Sequence, residues 1–171
     1  MLIVLLFLLP AIPVCKTQGL DYRVHAMFIY HFTKYIEWPD NRNHDDFQVC
    51  FLGETPVFSE FKKVTEGKLI DNRKVSIQSV SPGDKLIRSS DIIYIPDTRK
   101  ISPDQIKAIS ESLAELPVLI ITEKQGMLQY GSMINLLVLD EKLRFQINKT
   151  LIQSRNMKVS SELIRLASQS L

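Results

Sequence analysis

Hydrophobic positions in the chain come in two rhythms, one of three to four residues and one of short continuous runs. From Asp21 to Glu37 the residues Val24, Met27, Phe28, His31, Phe32 and Tyr35 recur at helical steps and give one apolar stripe. Asp21 suits the N-cap, and Pro39 stops the helix near Trp38. After a polar loop from Asp40 to Asp46, the run Phe47–Leu52 ends at Gly53 and reads as a buried strand. Thr55-Pro56 then opens a helix over Val57–Thr65. Lys74–Val80 alternates, with Val75 and Ile77 on one face, as a strand does.

The middle of the chain repeats this order. Asp91–Ile95 predicts another buried strand, closed by Pro96. Ser102 caps a helix that has Pro103 at its first position and runs to about Leu116. Pro117 separates that helix from Val118–Thr122, the most hydrophobic strand after the amino-terminal segment. Strands alternating with helices through short connections imply βαβ units and a mostly parallel sheet covered on both faces.

The alternation breaks in the last third. Gly126 and Gly131 punctuate a loop, Met133–Leu139 reads as a strand, and Asp140 to Lys142 makes a turn into a second strand, Leu143–Asn148. A link that short makes the two strands antiparallel neighbours. Helical pieces at Lys149–Arg155 and Ser160–Ser168 close the chain. The predicted fold is α/β, a three-layer sandwich with a mostly parallel sheet and a C-terminal antiparallel hairpin at its edge.

The amino terminus follows another logic. Met1–Val14 carries no charge, is interrupted by Pro10 and Pro13, and is shorter than the ~20 residues of a spanning helix. With Thr17, Gln18 and Gly19 after it, residues 1–19 read as a secretory signal peptide and residues 20–171 as a single exported domain. No Lys or Arg precedes the apolar run, and Cys15 leaves lipid attachment open; either outcome exports the domain. Cleavage after Gly19 leaves Cys50 as the one thiol, which excludes an intramolecular disulfide. In its apolar run Cys50 reads as a small buried hydrophobe, against the alternative of a reactive thiol.

Composition adds mainly exclusions. A hydrophobic content of 45% in 171 residues suffices for one core. The formal charge of +2 becomes +1 once Lys16 leaves with the leader, and no polybasic stretch points to nucleic acid or a lipid surface. The sequence has no G-x-S-x-G elbow, no P-loop and no G-x-G-x-x-G, so neither a catalytic pair nor a cofactor is expected, and the chain reads as a non-enzyme. His25 and His31 fall on different helix faces, and His44-Asp45-Asp46 reads as a solvated loop rather than a metal site.

One constellation is suited to ligand binding. In the strand Leu143–Asn148, the residues Arg144, Gln146 and Asn148 share the face opposite Leu143, Phe145 and Ile147. A permanent cation with two amides matches a phosphate, carboxylate or nucleobase. On the first helix Tyr30, Lys34 and Trp38 form an i, i+4, i+8 row. If that row borders the hairpin, Lys34 and Arg144 flank one small anionic ligand and Trp38 offers a stacking surface. The plainer alternative is that Lys34 and Arg144 are solvated and Trp38 plugs the helix end.

Three blocks carry a family resemblance. They are Ala26–Pro39 with its aromatic row and terminal Trp38-Pro39, the pair Gly131–Asn135 and Arg144–Asn148, and Lys158–Leu163 with Leu166-Ala167. In order and spacing they resemble the YfiR-like family over roughly residues 22 to 167. Ser132 stands where that family has a second glycine, and Asn156 where a glycine precedes the last helix. The resemblance implies a periplasmic regulator that represses a membrane-bound diguanylate cyclase through the cyclase's periplasmic sensor domain. It also implies an outer-membrane lipoprotein that relieves the repression. A ligand-sensing role without a cyclase partner, and a homodimer, stay open at this level.

Overall fold

The computed structural model describes residues 21–40, 46–97 and 101–171. The leader with Cys15 and the loop containing His44 lie outside the described residues. Helix α1 (Tyr22–Tyr35) begins where expected, the Asp21 carboxylate accepting the Arg23 N–H at 3.1 Å. Its inward stripe differs from the expected one: His25, Ala26, Ile29 and Phe32 are buried, while Met27 is 40% exposed and His31 lies outside. The helix is rotated because His25, a polar residue in composition, finds partners inside and joins the core face. The helix also ends earlier than Pro39 suggests. Ile36–Glu37 forms a short strand, β1, which pairs antiparallel with the strand at Lys158–Val159.

The main sheet collects eight strands. They are β2 (Asp46–Leu52), β3 (Leu69–Ile70), β4 (Arg73–Val80), β5 (Ile92–Ile95), β6 (Leu119–Thr122), β7 (Ile134–Leu139), β8 (Lys142–Ile147) and β10 (Gln169–Ser170), with the Lys158–Val159 strand numbered β9. Their spatial order is β10-β8-β7-β6-β5-β2-β4-β3. Neighbours from β7 through β6, β5 and β2 to β4 are all parallel. Strands β7 and β8 form the expected antiparallel hairpin around Asp140-Glu141, both at positive φ. The hairpin is not the sheet's edge, however, because β10 adds parallel to β8 and covers it. Two residues of strand at the end of the chain leave no periodicity to read.

Both sheet faces are covered, giving the three layers. Helices α1 and α2 (Pro56–Thr65), α5 (Lys149–Ser154) and α6 (Ser161–Leu166) bury one face, formed by residues such as Val49, Phe51, Ile121 and Phe145. Helices α3 (Leu86–Ser89) and α4 (Pro103–Ser112) cover the other, with Cys50, Ile93, Ile95 and Ile120. The successive residues 49/50/51 and 93/94/95 divide between faces, which is the period-two alternation of a strand buried on both sides. Caps fall where the sequence puts them. Thr55 accepts from Val57, Ser102 and Gln105 form a reciprocal capping box, and Ser160 accepts from Leu163.

Both departures from the family pattern are accommodated. Asn156 sits at φ +59, the left-handed conformation that asparagine tolerates. Ser132 is fully buried, donates to the Ile134 carbonyl at 2.8 Å and lies 2.8 Å from the Thr122 hydroxyl. Gly131 beside it is irreplaceable in another sense: at φ +92, an added Cβ would lie 2.4 Å from the Ser110 side chain.

Candidate functional site

The residues singled out by the sequence do not converge. Phe145 packs edge-on against Phe28 and Phe32 of α1, at ring separations of 6.2 and 5.2 Å. Arg144 and Gln146, adjacent to it in the strand, therefore project from the opposite face of the sheet. Lys34, on α1, and Arg144 are divided by the sheet itself and do not flank one anion. Lys34 is exposed and places its Nζ 5.0 Å from the Tyr30 ring centre, and Lys68 reaches the same ring at 4.5 Å.

Trp38 is not a stacking surface for a ligand. It is 8% exposed, meets Phe47 edge-on at 5.0 Å and donates its Nε1–H to the Asp91 carbonyl at 3.2 Å. Asn148 is an N-cap, accepting the Leu151 N–H at 2.9 Å, so its amide oxygen is spent on α5. Gln146 belongs to a chain of side-chain bonds running across the sheet. Thr122 donates to Asn135 Oδ1 at 2.7 Å, Asn135 donates to Gln146 Oε1 at 3.5 Å, and Gln146 donates to Gln169 Oε1 at 2.6 Å. The ladder registers Thr122 with Asn135, Asn135 with Gln146 and Gln146 with Gln169, which is why these groups meet. Arg144 remains exposed two residues along the same face.

Two polar clusters went unseen in the sequence. At the amino-terminal ends of β2, β4 and β5, the fully buried Asp91 carboxylate takes Arg73 guanidinium nitrogens at 3.3 Å and the Gln48 N–H at 2.8 Å. The Asp91 carbonyl also accepts the Leu119 N–H at 2.9 Å, and Arg73 lies over the Phe47 ring at 4.8 Å. Trp38, Asp91, Arg73 and Phe47 thus lock α1's exit to three strands. The only sequence sign was an Asp directly before a wholly apolar strand, a position where a lone charge needs a partner.

The second cluster lies at the carboxyl ends of the parallel strands, where open α/β sheets place ligands. Glu123 follows β6, and its Oε1 accepts the Tyr94 hydroxyl and lies 3.4 Å from His25 Nε2. Its Oε2 accepts the Asp97 N–H at 3.1 Å, and His25 Nδ1 is 3.2 Å from the Asp21 carbonyl. Both ring nitrogens of His25 thus face oxygen atoms of the fold. Burial first, then the Glu123 charge, raises the Tyr94 phenol well above its ordinary range, which keeps it a donor. The cluster ties the first turn of α1 to β5 and β6.

Cys50 follows its sequence reading: it is buried, and burial followed by the Asp84 charge raises its thiol to about 11. Among the described residues no group of three or more His, Cys, Asp or Glu could hold a metal ion, and no helix is long and apolar enough to cross a membrane.

Comparison with solved structures gives a fold likeness to a conserved domain protein from Vibrio cholerae O1 biovar El Tor, at TM-score 0.61 and 8% identity. The alignment covers 88% of this chain and 60% of that one, so this chain spans less than two thirds of its structural neighbour's length. No curated protein matches the sequence significantly. The family model described as YfiR/HmsC-like matches residues 22–168, from the first turn of α1 to the end of the last helix. The chain therefore belongs to the YfiR/HmsC-like family, whose members are periplasmic regulators of cyclic-di-GMP signalling.

Proposed function

We propose that this protein is exported through residues 1–19 and represses a membrane-bound diguanylate cyclase by docking on its periplasmic sensor domain. One observation carries the reading: the family match extends over the whole described domain, 22–168, rather than over a detachable motif. The polar clusters are consistent with a docking role. Asp91 with Arg73 and Glu123 with His25 are paired within the fold, where they hold α1 in place. An outer-membrane lipoprotein that relieves the repression completes this reading. The test is deletion of the gene in its own host, with cyclic-di-GMP measured by mass spectrometry. Repression predicts a rise that the plasmid-borne gene reverses. An unchanged level would reject the cyclase assignment.

A second reading has its own support in the exposed Arg144 beside the Gln146–Gln169 amide pair, which suits a small anionic ligand. It predicts a metabolite that binds in a calorimeter and is lost on Arg144→Ala. Equal affinity in the variant would remove that site.

A further inference from the structure

The sheet's far side ends abruptly. Strand β3 pairs with β4 only at Leu69–Lys74 and Ile70–Arg73, around a two-residue turn with Asp71 and Asn72 at φ +52 and +57. It stops there because the Lys68 N–H, next in line for the ladder, donates to the Thr65 carbonyl at 3.0 Å. Strand β4 continues to Val80, paired on its other side with β2 through the whole of its length from Lys74. The Gly53 N–H to Val80 carbonyl bond, at 2.9 Å, sets the parity of that ladder. Even-numbered residues of β4 turn their main-chain groups toward β2, and Val75, Ile77 and Ser79 turn theirs outward. Among the described residues no strand covers that stretch of edge.

Beside this edge lies a groove of about 920 Å³ between α2 and β3–β4. Phe58, Val75 and Ile77 give it an apolar wall, and Leu69, 52% exposed, stands at its mouth. Four lysines, Lys62, Lys63, Lys68 and Lys74, line it against one acid, Glu66. Lys63 is partly neutralised by Glu60 at 2.7 Å, but Lys62 and Lys74 have no such partner among the described ion pairs. A long open edge is ordinarily blunted by its own charges, bulges or a covering element. Here the charges lie beside the edge, four lysines against one glutamate, around an apolar wall.

We infer that the Val75–Ser79 edge of β4 and its lysine-lined groove bind an extended segment of a partner protein that presents both apolar and acidic side chains on one face. The segment adds as a strand: its main chain bonds Val75, Ile77 and Ser79, and every second side chain faces the groove, the apolar ones against Phe58 and Ile77 and the carboxylates against the lysines. At about 3.3 Å per residue, the free length of β4 accommodates roughly five to seven partner residues. This deepens the docking role proposed above by naming the surface, and it rests on that reading only for the partner's identity.

The experiment selects binders from a display library of random heptapeptides on the intact protein, then measures the best peptide by fluorescence anisotropy and by amide hydrogen exchange. The expected peptides carry both Asp or Glu and Val, Ile or Leu among residues two apart, and they slow exchange at Val75, Ile77 and Ser79. Ile77→Pro removes one outward N–H without breaking the β2 ladder, and should weaken binding at least tenfold. The triple variant Lys62→Glu, Lys68→Glu, Lys74→Glu should do the same. Peptides without acidic residues on the face that carries the apolar ones, or peptides that leave the 75–79 amides unprotected, would overturn the inference. So would self-association of the free protein through this edge, which would make a second copy the occupant. The exchange measurement uses the unaltered protein, so it decides the matter even if a variant fails to fold. It is also independent of cyclic-di-GMP: a peptide can bind here though deletion leaves the nucleotide unchanged, and the reverse.

Discussion

Replacing Asp91 should be among the most damaging single changes in the protein. The carboxylate is fully buried and accepts from the Arg73 guanidinium and the Gln48 N–H. Breaking a buried ion pair by removing one partner costs about 3–5 kcal/mol when the survivor is stranded. Arg73 is not wholly stranded, since it keeps Asp71 at 3.3 Å and its side chain is 14% exposed. The orphaned Gln48 N–H adds about 1–2 kcal/mol. Together these place Asp91→Ala at the low end of that range, about 3 kcal/mol. In a domain of this size each kcal/mol moves the melting temperature by about 2–4 °C, so Tm should fall by roughly 6–12 °C. Asp91→Asn keeps an acceptor for Gln48 and loses only the charge, and should cost about half as much. Urea unfolding followed by circular dichroism measures both, and adding Arg73→Met closes a double-mutant cycle. The reasoning predicts coupling of about 2 kcal/mol between the two positions. Additive effects, or Asn as harmful as Ala, would show that the pair is not what holds this corner.

Other consequences follow from single residues. Trp38→Phe deletes the Nε1–H bond to Asp91 while keeping most of the ring, and should cost about 1–2 kcal/mol by the same unfolding assay. Gly131→Ala forces an unfavourable backbone and drives a methyl into Ser110, so a loss of about 2–3 kcal/mol is expected, against under 1 kcal/mol if the Met127–Tyr130 turn and α4 can separate freely. Cys50, raised from 9.0 to about 11, should react with iodoacetamide at pH 8.5 about 100-fold more slowly when folded than in urea; equal rates would contradict its burial. Because the folded thiol holds its proton where the unfolded one has lost it, stability should decline from about pH 9 to pH 11 in the wild type, and Cys50→Ala should remove that part of the decline.

Legibility in the sequence followed the length and regularity of each element. The long runs at Phe47–Leu52, Asp91–Ile95 and Val118–Thr122 could be read because a strand buried on both faces needs nothing but apolar residues. The strands β1, β3, β9 and β10 have two residues each, too few for any period to appear. On α1 the apolar count favoured Met27 and His31, yet His25 turned inward because Glu123 and the Asp21 carbonyl satisfy its ring, partners nearly a hundred residues and four residues away. The candidate ligand face suffered from the same gap. Alternation correctly put Arg144 and Gln146 opposite Phe145, but nothing local tells which sheet face α1 will cover, and it covers the Phe145 side. The resemblance blocks, by contrast, were legible because they combine composition with order along the chain, and the family match spans the same residues.

The central claim is that this domain acts from the periplasmic side on cyclic-di-GMP synthesis. The most direct measurement adds the purified protein to spheroplasts of the deletion strain, whose inner-membrane sensor domains are open to the medium, and follows cyclic-di-GMP over time. The account predicts a fall toward the wild-type level as the protein is titrated in. Synthesis that continues unchanged at saturating protein would contradict it.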